Sequence, residues 1–489
     1  MKEICILIYN ANEPLPEQGG MERVTDRLAR GLRDRGYKVM LLCSRKNRLG
    51  KVYNPPVPLF FVPQQTPQVF ILDLIADHHI THVIDQTEGG LIGKYGYFKQ
   101  KDMAVSRTEE RPDALSSADV NVATGHRQRC HWPSATLPRG GGNASGRFSS
   151  WLQGFLLRKG ALQKWQHILD QEKNSGQRVL PLGAVHEGIL TAKLQNPWLS
   201  GQVFNKVILI AVQHNSAMAI IKNYGTAQAR RSGHKVIDVL YNILCLPLRR
   251  LHSLHVIKKL YREQTANYDY IVMLSPSFIK DFLWFYPQAN KQKLLAIPNM
   301  NTYTDVRIVP KQKRVLFVGR LISSVKGCDK LLRIWKEACQ GEDDWQLDIV
   351  GDGPDRDQLM HDAEVLGISN CTFHGFTDPT PFYERASIFC MASVFEGFGM
   401  VLTEAMQHGM VPMAFASYSA VYDLIEDGVN GVLVQPFDEH SYAQKLHMLM
   451  QSDALRRCIA ERAVTSVERF SSDTVLGQWE ELLHNTAKA

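Results

Sequence analysis

Two glutamates, Glu396 and Glu404, stand out because the seven residues between them in the stretch EGFGMVLTEAM carry no charge. Carboxylates in an apolar setting serve as metal ligands, as proton-transfer groups or as acceptors for sugar hydroxyls. Eight residues of continuous helix rotate by about 800°, so one helix would not bring both side chains to a single face. Gly397 and Gly399 favour a turn before the helix instead. Glu396 is then expected in the turn and Glu404 about one turn into the helix, so that both reach one ligand from different sides.

The start of this predicted helix favours an anion. The backbone amides of Gly399, Met400 and Val401 are expected to point outward at the positive end of the helix dipole, where a phosphate binds well. A carboxylate can accept two vicinal hydroxyls of a ribose or a hexose. The stretch therefore predicts a site for a sugar, a diphosphate and a ribose. The alternative is a simple turn followed by a solvated Glu404, and the stretch alone leaves both open.

Basic residues follow a predicted strand earlier in the chain. In RVLFVGRL, Arg320 comes at the strand end, and Lys326 lies a few residues later. Ligands of open parallel sheets bind at the carboxyl ends of the strands, and such cations suit a diphosphate. Ordinary surface cations are the competing interpretation. Asp355 and Asp357 have metal-binding spacing, but they open a helix after GDGP, so helix capping and dipole placement explain them better and no metal is expected.

The rest of the chain alternates predicted strands and helices in two halves. This alternation predicts an α/β protein with two Rossmann-like, doubly wound parallel sheets. We expect the first domain at residues 1–305, with an irregular insertion at about 101–203, the second at residues 306–470, and a C-terminal helix at 471–489. The 489 residues exceed one ordinary core, which agrees with two domains.

Composition excludes several classes of protein. The nine cysteines form no C-x-x-C pair, which indicates a reducing cytosol and disfavours a zinc ribbon. No apolar run is long enough for a signal peptide or a membrane span, so a cytoplasmic protein is expected. The net charge of +7 is mild and favours anionic partners without choosing among them. The first strand is not followed by G-x-G-x-x-G, which makes an NAD oxidoreductase a poor candidate.

Several motifs taken together resemble retaining glycosyltransferases of the GT-B fold, close to glycosyltransferase family 4. These motifs are GGMERV, VGRL with a later KG, VGDGP, FHGF, EGFGMVLTEAM and DGVNGVLV. The resemblance spans nearly all of Arg314 to Asp438 and both ends of the N-terminal half. Each motif is weak alone, but their order and spacing are specific.

The resemblance implies roles for particular residues. The residues that it assigns to catalysis are Glu396, His214, Arg320 and Lys326. The residues that it assigns to substrate binding are Gly19, Gly20, Gly353, His374, Gly375, Phe376, Gly399, Met400, Val401 and Glu404. Competing interpretations stay open at three places: a satisfied buried histidine for His214, a structural histidine for His374, and an ordinary tight turn for Gly19 and Gly20.

The resemblance also implies the reaction. A hexose-type sugar would move from a nucleotide-sugar, which is a substrate, to a glycan or lipid-linked acceptor with retention, without metal or cofactor. Glu404 would bind ribose, Glu396 would face the sugar, and the cations would hold the diphosphate. The basic amphipathic stretch from Leu246 to Glu263 favours either peripheral contact with the inner face of a membrane or a solvated helix face. No nucleic-acid partner is expected.

Two departures and two rival functions remain. The stretch from Ser417 to Ile425 has Ser419-Ala420 where glycines are common in the family and Asp423 where glutamate is common. The insertion at about 101–203 is foreign to the family's first domain. A nucleotide-sugar epimerase of the same fold, or a non-catalytic nucleotide-sugar-binding protein, would share the donor site.

Overall fold

Two parallel β-sheets organise the part of the chain that the structure describes. The structure is a computed structural model that describes residues 4–17, 19–63, 67–87, 207–216, 254–304 and 306–487. The predicted insertion at about 101–203 lies outside these residues, as does the first half of the basic stretch 246–263. All described residues belong to one unit, within which we call the two sheet domains the first lobe and the second lobe.

The first lobe is built on a sheet whose described strands are all parallel and run in the order β3-β2-β1-β4-β5-β6-β7. Its strands are β1 (Cys5–Asn12), β2 (Lys38–Arg45), β3 (Leu59–Phe61), β4 (His82–Asp85), β5 (Ile208–Gln213), β6 (Tyr270–Met273) and β7 (Leu294–Ala296). Its helices are α1 (Gly20–Asp34), α2 (Pro67–Asp77), α3 (residues 254–267) and α4 (Pro276–Phe285). The central strands are continuous apolar runs because a parallel sheet is covered on both faces.

The second lobe has the strand order β10-β9-β8-β11-β12-β13, again with every described pair parallel. Its strands are β8 (Gln312–Val318), β9 (Gln346–Val350), β10 (Cys371–Gly375), β11 (Ala386–Met391), β12 (Val411–Phe415) and β13 (Val432–Val434). Its helices are α5 (Ser323–Lys326), α6 (Cys328–Ala338), α7 (Arg356–Val365), α8 (Thr380–Arg385), α9 (Met400–Gln407), α10 (Val421–Leu424), α11 (Glu439–Gln451) and α12 (Asp453–Val467). The predicted pair of parallel α/β domains is confirmed.

The last helix, α13 (Ser472–Ala487), returns to the first lobe. Arg35, the residue that follows α1, forms ion pairs with Asp473 and Glu480 on α13. Further along α13, the Thr486 hydroxyl contacts the ring of His82 on β4 at 2.9 Å. The C-terminal helix therefore joins the end of the chain to the core of the first lobe.

Local signals explain where several elements begin. Ser275 precedes Pro276, and its Oγ accepts a hydrogen bond from the Phe278 amide at 3.4 Å, so this serine caps the start of α4. The side chains of Val24, Leu28 and Leu32 on α1 are buried at helical spacing. β3 and α2 fall in a stretch that the sequence motifs leave unassigned.

Candidate functional site

The loop after β8 carries the two predicted phosphate-binding cations. The Arg320 side chain is exposed, and its guanidinium has no hydrogen bond or ion pair to any residue that the structure describes. Lys326 ends the short helix α5 and is less exposed, at 23% of its side chain. The loop thus holds one open cation and one partly buried cation at the carboxyl edge of the second sheet.

Lys326 and Glu396 are brought together. The lysine ammonium donates to Glu396 Oε1, and the Ser393 hydroxyl donates to the same oxygen at 2.7 Å. The Glu396 side chain is 13% exposed, so the ion pair is only partly screened by water. Charge-assisted hydrogen bonds from two directions fix this carboxylate in the turn after β11.

The predicted turn before α9 is confirmed. Gly399 precedes the helix with φ of 86°, a left-handed backbone that disfavours other residues. Gly397 lies against the first lobe, because an added Cβ would come within 2.6 Å of the His214 carbonyl oxygen. Glu396 therefore lies in the turn and Glu404 in the helix, as the spacing predicts.

Glu404 is buried rather than solvated, which corrects the alternative of an exposed helix residue: 4% of it is exposed. Its Oε1 accepts from Arg23 at 3.0 Å and from the Thr302 hydroxyl at 2.6 Å, while Oε2 accepts from the Tyr383 hydroxyl at 2.8 Å. Burial, followed by the nearby Glu404 charge, raises the Tyr383 pKa well above its usual value.

This network limits how Glu404 could serve as a ribose ligand. A carboxylate has about four lone-pair directions, and these contacts use three of them. Two vicinal hydroxyls would therefore have to displace one of the three donors. Arg23 is the most exposed of them, since 32% of its side chain is accessible, and it lies on the other lobe.

His214 follows β5 and faces the same turn through its backbone. Its ring is buried, and Nε2 meets the Gln86 amide oxygen at 2.8 Å. Burial lowers the pKa of His214 to about 4, so the imidazole is neutral near pH 7. The ring thus has a satisfied polar partner, as the competing interpretation states, while its carbonyl lies beside Gly397.

The glycine turn of the first lobe faces α9. Gly20 opens α1, and an added Cβ there would contact the Met400 sulfur at 4.0 Å. Gly19 has an extended backbone, and its nearest side chain is Glu22. The N-terminal ends of α1 and α9 therefore approach each other across the two lobes, and the first turn of α9 contains Met400 and Val401.

The remaining predicted residues lie at the ends of β9 and β10. His374 Nε2 contacts Asp348 Oδ1 at 2.7 Å, and Arg314 binds both oxygens of that carboxylate. Gly375 has φ of 69°, and the Phe376 side chain beyond it is 76% exposed. His374 therefore has a structural partner whatever else it binds.

Gly353 and Asp355 belong to the neighbouring loop, which packs against the loop of Arg320. A Cβ on Gly353 would lie 2.3 Å from the Leu321 carbonyl oxygen, so glycine allows the two loops to touch. Of the predicted helix capping and dipole placement, the placement is confirmed, because Asp357 lies in the first turn of α7, whereas the predicted side-chain cap of Asp355 is wrong. Asp355 occupies the cap position but accepts from the Ser323 amide at 2.7 Å, at the start of α5. Close packing of the two loops redirects this carboxylate.

Several polar residues of the site were missed by the sequence analysis. Arg23 and Arg27 lie one helical turn apart on α1, and Arg27 donates to the carbonyls of Asn301 and Thr302 between the lobes. The sequence does indicate these two arginines, because both follow the glycine turn at a spacing that puts them on one helix face. Tyr383 and Thr302 gave no signal, because only the tertiary fold brings them to Glu404.

Comparison with known proteins shows what the second lobe is similar to. Residues 303–465 match the model of the family described as Glycosyl transferases group 1. Most of the second lobe lies within the matched residues. The Rhizobium meliloti lipopolysaccharide core biosynthesis glycosyltransferase LpsE is 28% identical over 44% of this chain and 64% of its own length.

A second relative is the Campylobacter jejuni α-1,4-N-acetyl-D-galactosaminyltransferase that acts on a GalNAc-containing diNAcBac-PP-undecaprenol. It is 26% identical over 37% of this chain and 50% of its own length. The chain spans about half the length of three of the first four curated relatives that it matches, and 18% of the length of the other one.

The solved structure of Anabaena Alr3699/HepE in complex with UDP shares the fold. It superposes with a TM-score of 0.59 at 14% identity and covers 99% of this chain and 100% of that one. The two parallel-sheet lobes form the GT-B fold, as predicted. Within the described ranges, no helix is long and apolar enough to cross a membrane.

Proposed function

We propose that this protein is a retaining glycosyltransferase that moves a hexose from a nucleotide-sugar to a glycan or lipid-linked acceptor without a metal. One observation carries the proposal: the Lys326–Glu396 pair and the open Arg320 lie on loops at the carboxyl edge of the second sheet, where α9 begins. This edge of a parallel sheet is where ligands bind. The match of residues 303–465 to a glycosyltransferase family supports the assignment.

The cations and the helix N-terminus suit the donor diphosphate. Arg320 and Lys326 would neutralise the charge that builds on the departing nucleotide, the task that a metal performs in other transferases. Among the residues that the structure describes, no group of three or more His, Cys, Asp or Glu side chains could hold a metal ion. Met400 and Val401 would supply amides to the phosphates.

Retention follows in this proposal from attack on the face of the sugar from which the nucleotide leaves. The departing diphosphate takes the proton of the acceptor hydroxyl. Glu396 holds the sugar while Lys326 stays beside the phosphate. His214, neutral near pH 7, would face the sugar without adding charge. His374, Gly375 and Phe376 would lie by the nucleobase, and Gly19 and Gly20 would let the first lobe approach the phosphates.

The acceptor is proposed from chemistry and relatives together. The names of the two relatives describe lipopolysaccharide core synthesis and an undecaprenol-linked substrate. In this chain, α3 carries Lys258 and Lys259, and the neighbouring α4 exposes 72% of Trp284. Tyr261 of α3 stacks on Phe282 of α4 with ring centroids 3.9 Å apart, so the two helices pack against each other. A basic surface with an exposed tryptophan suits peripheral contact with an anionic membrane from the cytoplasm.

Donor binding and product analysis test the function. UDP-, GDP- and ADP-hexoses are titrated by calorimetry in EDTA into the wild type and into Glu396→Gln. Each donor that binds is then incubated with and without an undecaprenyl diphosphate-linked oligosaccharide in vesicles, and the anomeric protons of the products are followed by NMR. Saturable binding, with nucleotide release that needs acceptor and a product of unchanged anomeric configuration, is the expected result.

Other outcomes separate the rival functions. A change of sugar configuration without acceptor would indicate an epimerase. Binding with neither reaction, across the acceptors tried, would favour a non-catalytic binding protein. A folded wild type that binds no nucleotide-sugar would contradict the proposal.

A further inference from the structure

One buried hydroxyl beside the site has no partner within the part of the chain that the structure describes. Tyr418 lies three residues beyond β12 and is 6% exposed, yet its Oη makes no hydrogen bond to a described residue. A buried polar group that lacks a partner costs folding free energy and is rare in native proteins. Such a group next to a binding site suggests that its partner is a ligand.

The hydroxyl points at the turn between Glu396 and α9. A Cβ built on Gly399 would lie 2.4 Å from Tyr418 Oη, so glycine at this position makes room for the hydroxyl. Burial, and next the Glu396 charge, raise the Tyr418 pKa well above its usual value. The phenol is therefore a protonated hydrogen-bond donor at every pH in which the protein works.

Hydrogen bonds hold the loop that carries Tyr418 in place. The Ser417 hydroxyl donates to the Ser393 carbonyl at 2.7 Å, and Ser393 in turn donates to Glu396. The loop after β12 is thus bonded to the loop that carries Glu396, the ion-pair partner of Lys326. A donor on a fixed loop loses little entropy when it binds a ligand.

The position of the hydroxyl favours an anionic acceptor over a sugar hydroxyl. Gly399 is the residue before α9, whose first-turn amides form the positive end of an eight-residue helix. Lys326 is paired with Glu396 in the same turn, so a second positive group lies at this place. If Glu396 faces the sugar, the phosphate nearest to it is the distal phosphate of the donor.

We propose that Tyr418 Oη donates a hydrogen bond to the distal phosphate of the nucleotide-sugar, and that this bond helps the site to prefer nucleoside diphosphates over monophosphates. The inference rests on the proposed function and adds a specificity residue to its donor site. The hydroxyl would hold the leaving phosphate at the start of α9 while Lys326 neutralises its charge.

Tyr418→Phe removes only this oxygen. A hydrogen bond to a charged group is lost, so the dissociation constant of the nucleoside diphosphate should rise roughly ten- to a hundredfold. The dissociation constant of the matching monophosphate should change less than about twofold. Calorimetry with UDP and UMP, or with the GDP or ADP pair if the wild type selects that base, measures both values.

Tyr442→Phe is the matched control. Tyr442 is also buried, but its hydroxyl donates to the Met413 carbonyl on β12 at 2.7 Å. The control should lower the melting temperature and leave the diphosphate-to-monophosphate ratio unchanged. Tyr418→Phe should leave the melting temperature of the free protein unchanged or higher, because it removes an unpaired buried oxygen.

The outcomes distinguish this inference from the proposed function. If the wild type binds a diphosphate and Tyr418→Phe binds it equally well, the inference is wrong and the proposed function stands. A lower melting temperature of ligand-free Tyr418→Phe would show a structural role for the hydroxyl and would also overturn the inference. If the wild type binds no nucleotide at all, both proposals fail together.

Discussion

The two lobes share a parallel-sheet design but bring different chemistry to the candidate site. The second lobe presents charge, with Arg320, Lys326 and Glu396 on adjacent loops. The first lobe presents Gly20 and the neutral, buried ring of His214. In the proposed function, the second lobe neutralises the charged donor, while the first lobe contributes a close glycine turn and an uncharged ring. The charge of Arg23 on the first lobe is paired with Glu404.

The lobes also differ in what their polar groups stabilise. Ser393 and Ser417 bond the loops of the second lobe to one another. On the first lobe, Arg23 and Arg27 extend to the other lobe or to the connection between the lobes. Glu404 stands at this boundary, because it belongs to the second lobe and binds an arginine of the first.

Removal of the Lys326 ammonium should give the largest effect. Lys326→Ala leaves Glu396 with Ser393 but without its cation, and the leaving phosphate loses one positive group. We expect the turnover number to fall roughly 10²- to 10³-fold, the range seen when one transition-state donor is lost. Steady-state kinetics of nucleotide release with saturating donor and acceptor measure it.

Lys330→Ala is the control for this change. Lys330 lies one turn further along the chain on α6, where its ammonium is 3.7 Å from Asp329. Its loss should change the turnover number less than about twofold. Equal losses in both variants would mean that general charge, rather than the pair with Glu396, matters, and the contrast between the lobes would weaken.

Substitution of Glu404 tests the contact between the two lobes. Glu404→Ala leaves Arg23, Thr302 and Tyr383 without their shared acceptor, and breaking such a buried network should cost on the order of 3 kcal/mol of unfolding free energy. Glu404→Gln keeps one acceptor oxygen and should cost about half as much. Urea denaturation of both variants gives the two values.

Donor binding by the same two variants separates structure from recognition. If Glu404 also binds ribose, Glu404→Gln should weaken a nucleoside diphosphate more than it weakens inorganic diphosphate. An equal loss of affinity for both ligands would mean that Glu404 joins the lobes and does not bind the ribose.

The second lobe could be predicted from the sequence more completely than the first. Its motifs follow strand ends at short range, so the place of Lys326, Glu396 and the turn before α9 could be inferred from local spacing. Paired parallel sheets follow from repeated strand-helix alternation.

The contacts that join distant segments could not be predicted. Arg23 and Glu404 are 381 residues apart in the chain, and no local pattern encodes their contact. The cap of Asp355 was assigned to the wrong helix because capping rules treat one helix at a time, whereas two loops pack together here. The surroundings of Tyr418 could not be predicted either, because they depend on Gly399 in another loop.

The neutral histidines of the first lobe predict a stability that depends on pH. Burial lowers the pKa of His82 and of His214 to about 4, against about 6.5 in the unfolded chain. The unfolded chain therefore binds more protons between these values, so stability is full above pH 6.5 and falls as the pH drops toward 4. At pH 5, each histidine should lower the free energy of unfolding by on the order of 2 kcal/mol.

Melting curves between pH 8 and pH 5 test this dependence. His214→Gln keeps a polar partner for Gln86 and cannot titrate, so the decline on acidification should shrink, while the contributions of His82 and of His408, whose pKa burial also lowers, remain. A decline of unchanged size in the variant would contradict the assignment of His214 as a neutral buried ring.

The smallest effect is expected at Ser419, in the loop after β12. Its hydroxyl donates to Asp281 Oδ2 on α4 at 2.6 Å, and nearby the Ser277 amide donates to Asp423 at 3.0 Å. Ser419→Ala removes one of these two contacts between the lobes. Because Asp281 is only half-buried and can accept a hydrogen bond from water instead, the free energy of unfolding should fall by about 1 kcal/mol.

Ser441→Ala provides the comparison within one lobe, because that hydroxyl donates to Asp438 beside it. If the bond of Ser419 holds the lobes together, Ser419→Ala should lower stability and also increase the radius of gyration measured by X-ray scattering, whereas Ser441→Ala should leave the radius unchanged. Equal radii in both variants would mean that the arginines of α1 suffice to hold the lobes. The hydroxyl of Ser419 would then add a local bond without controlling how the two lobes meet.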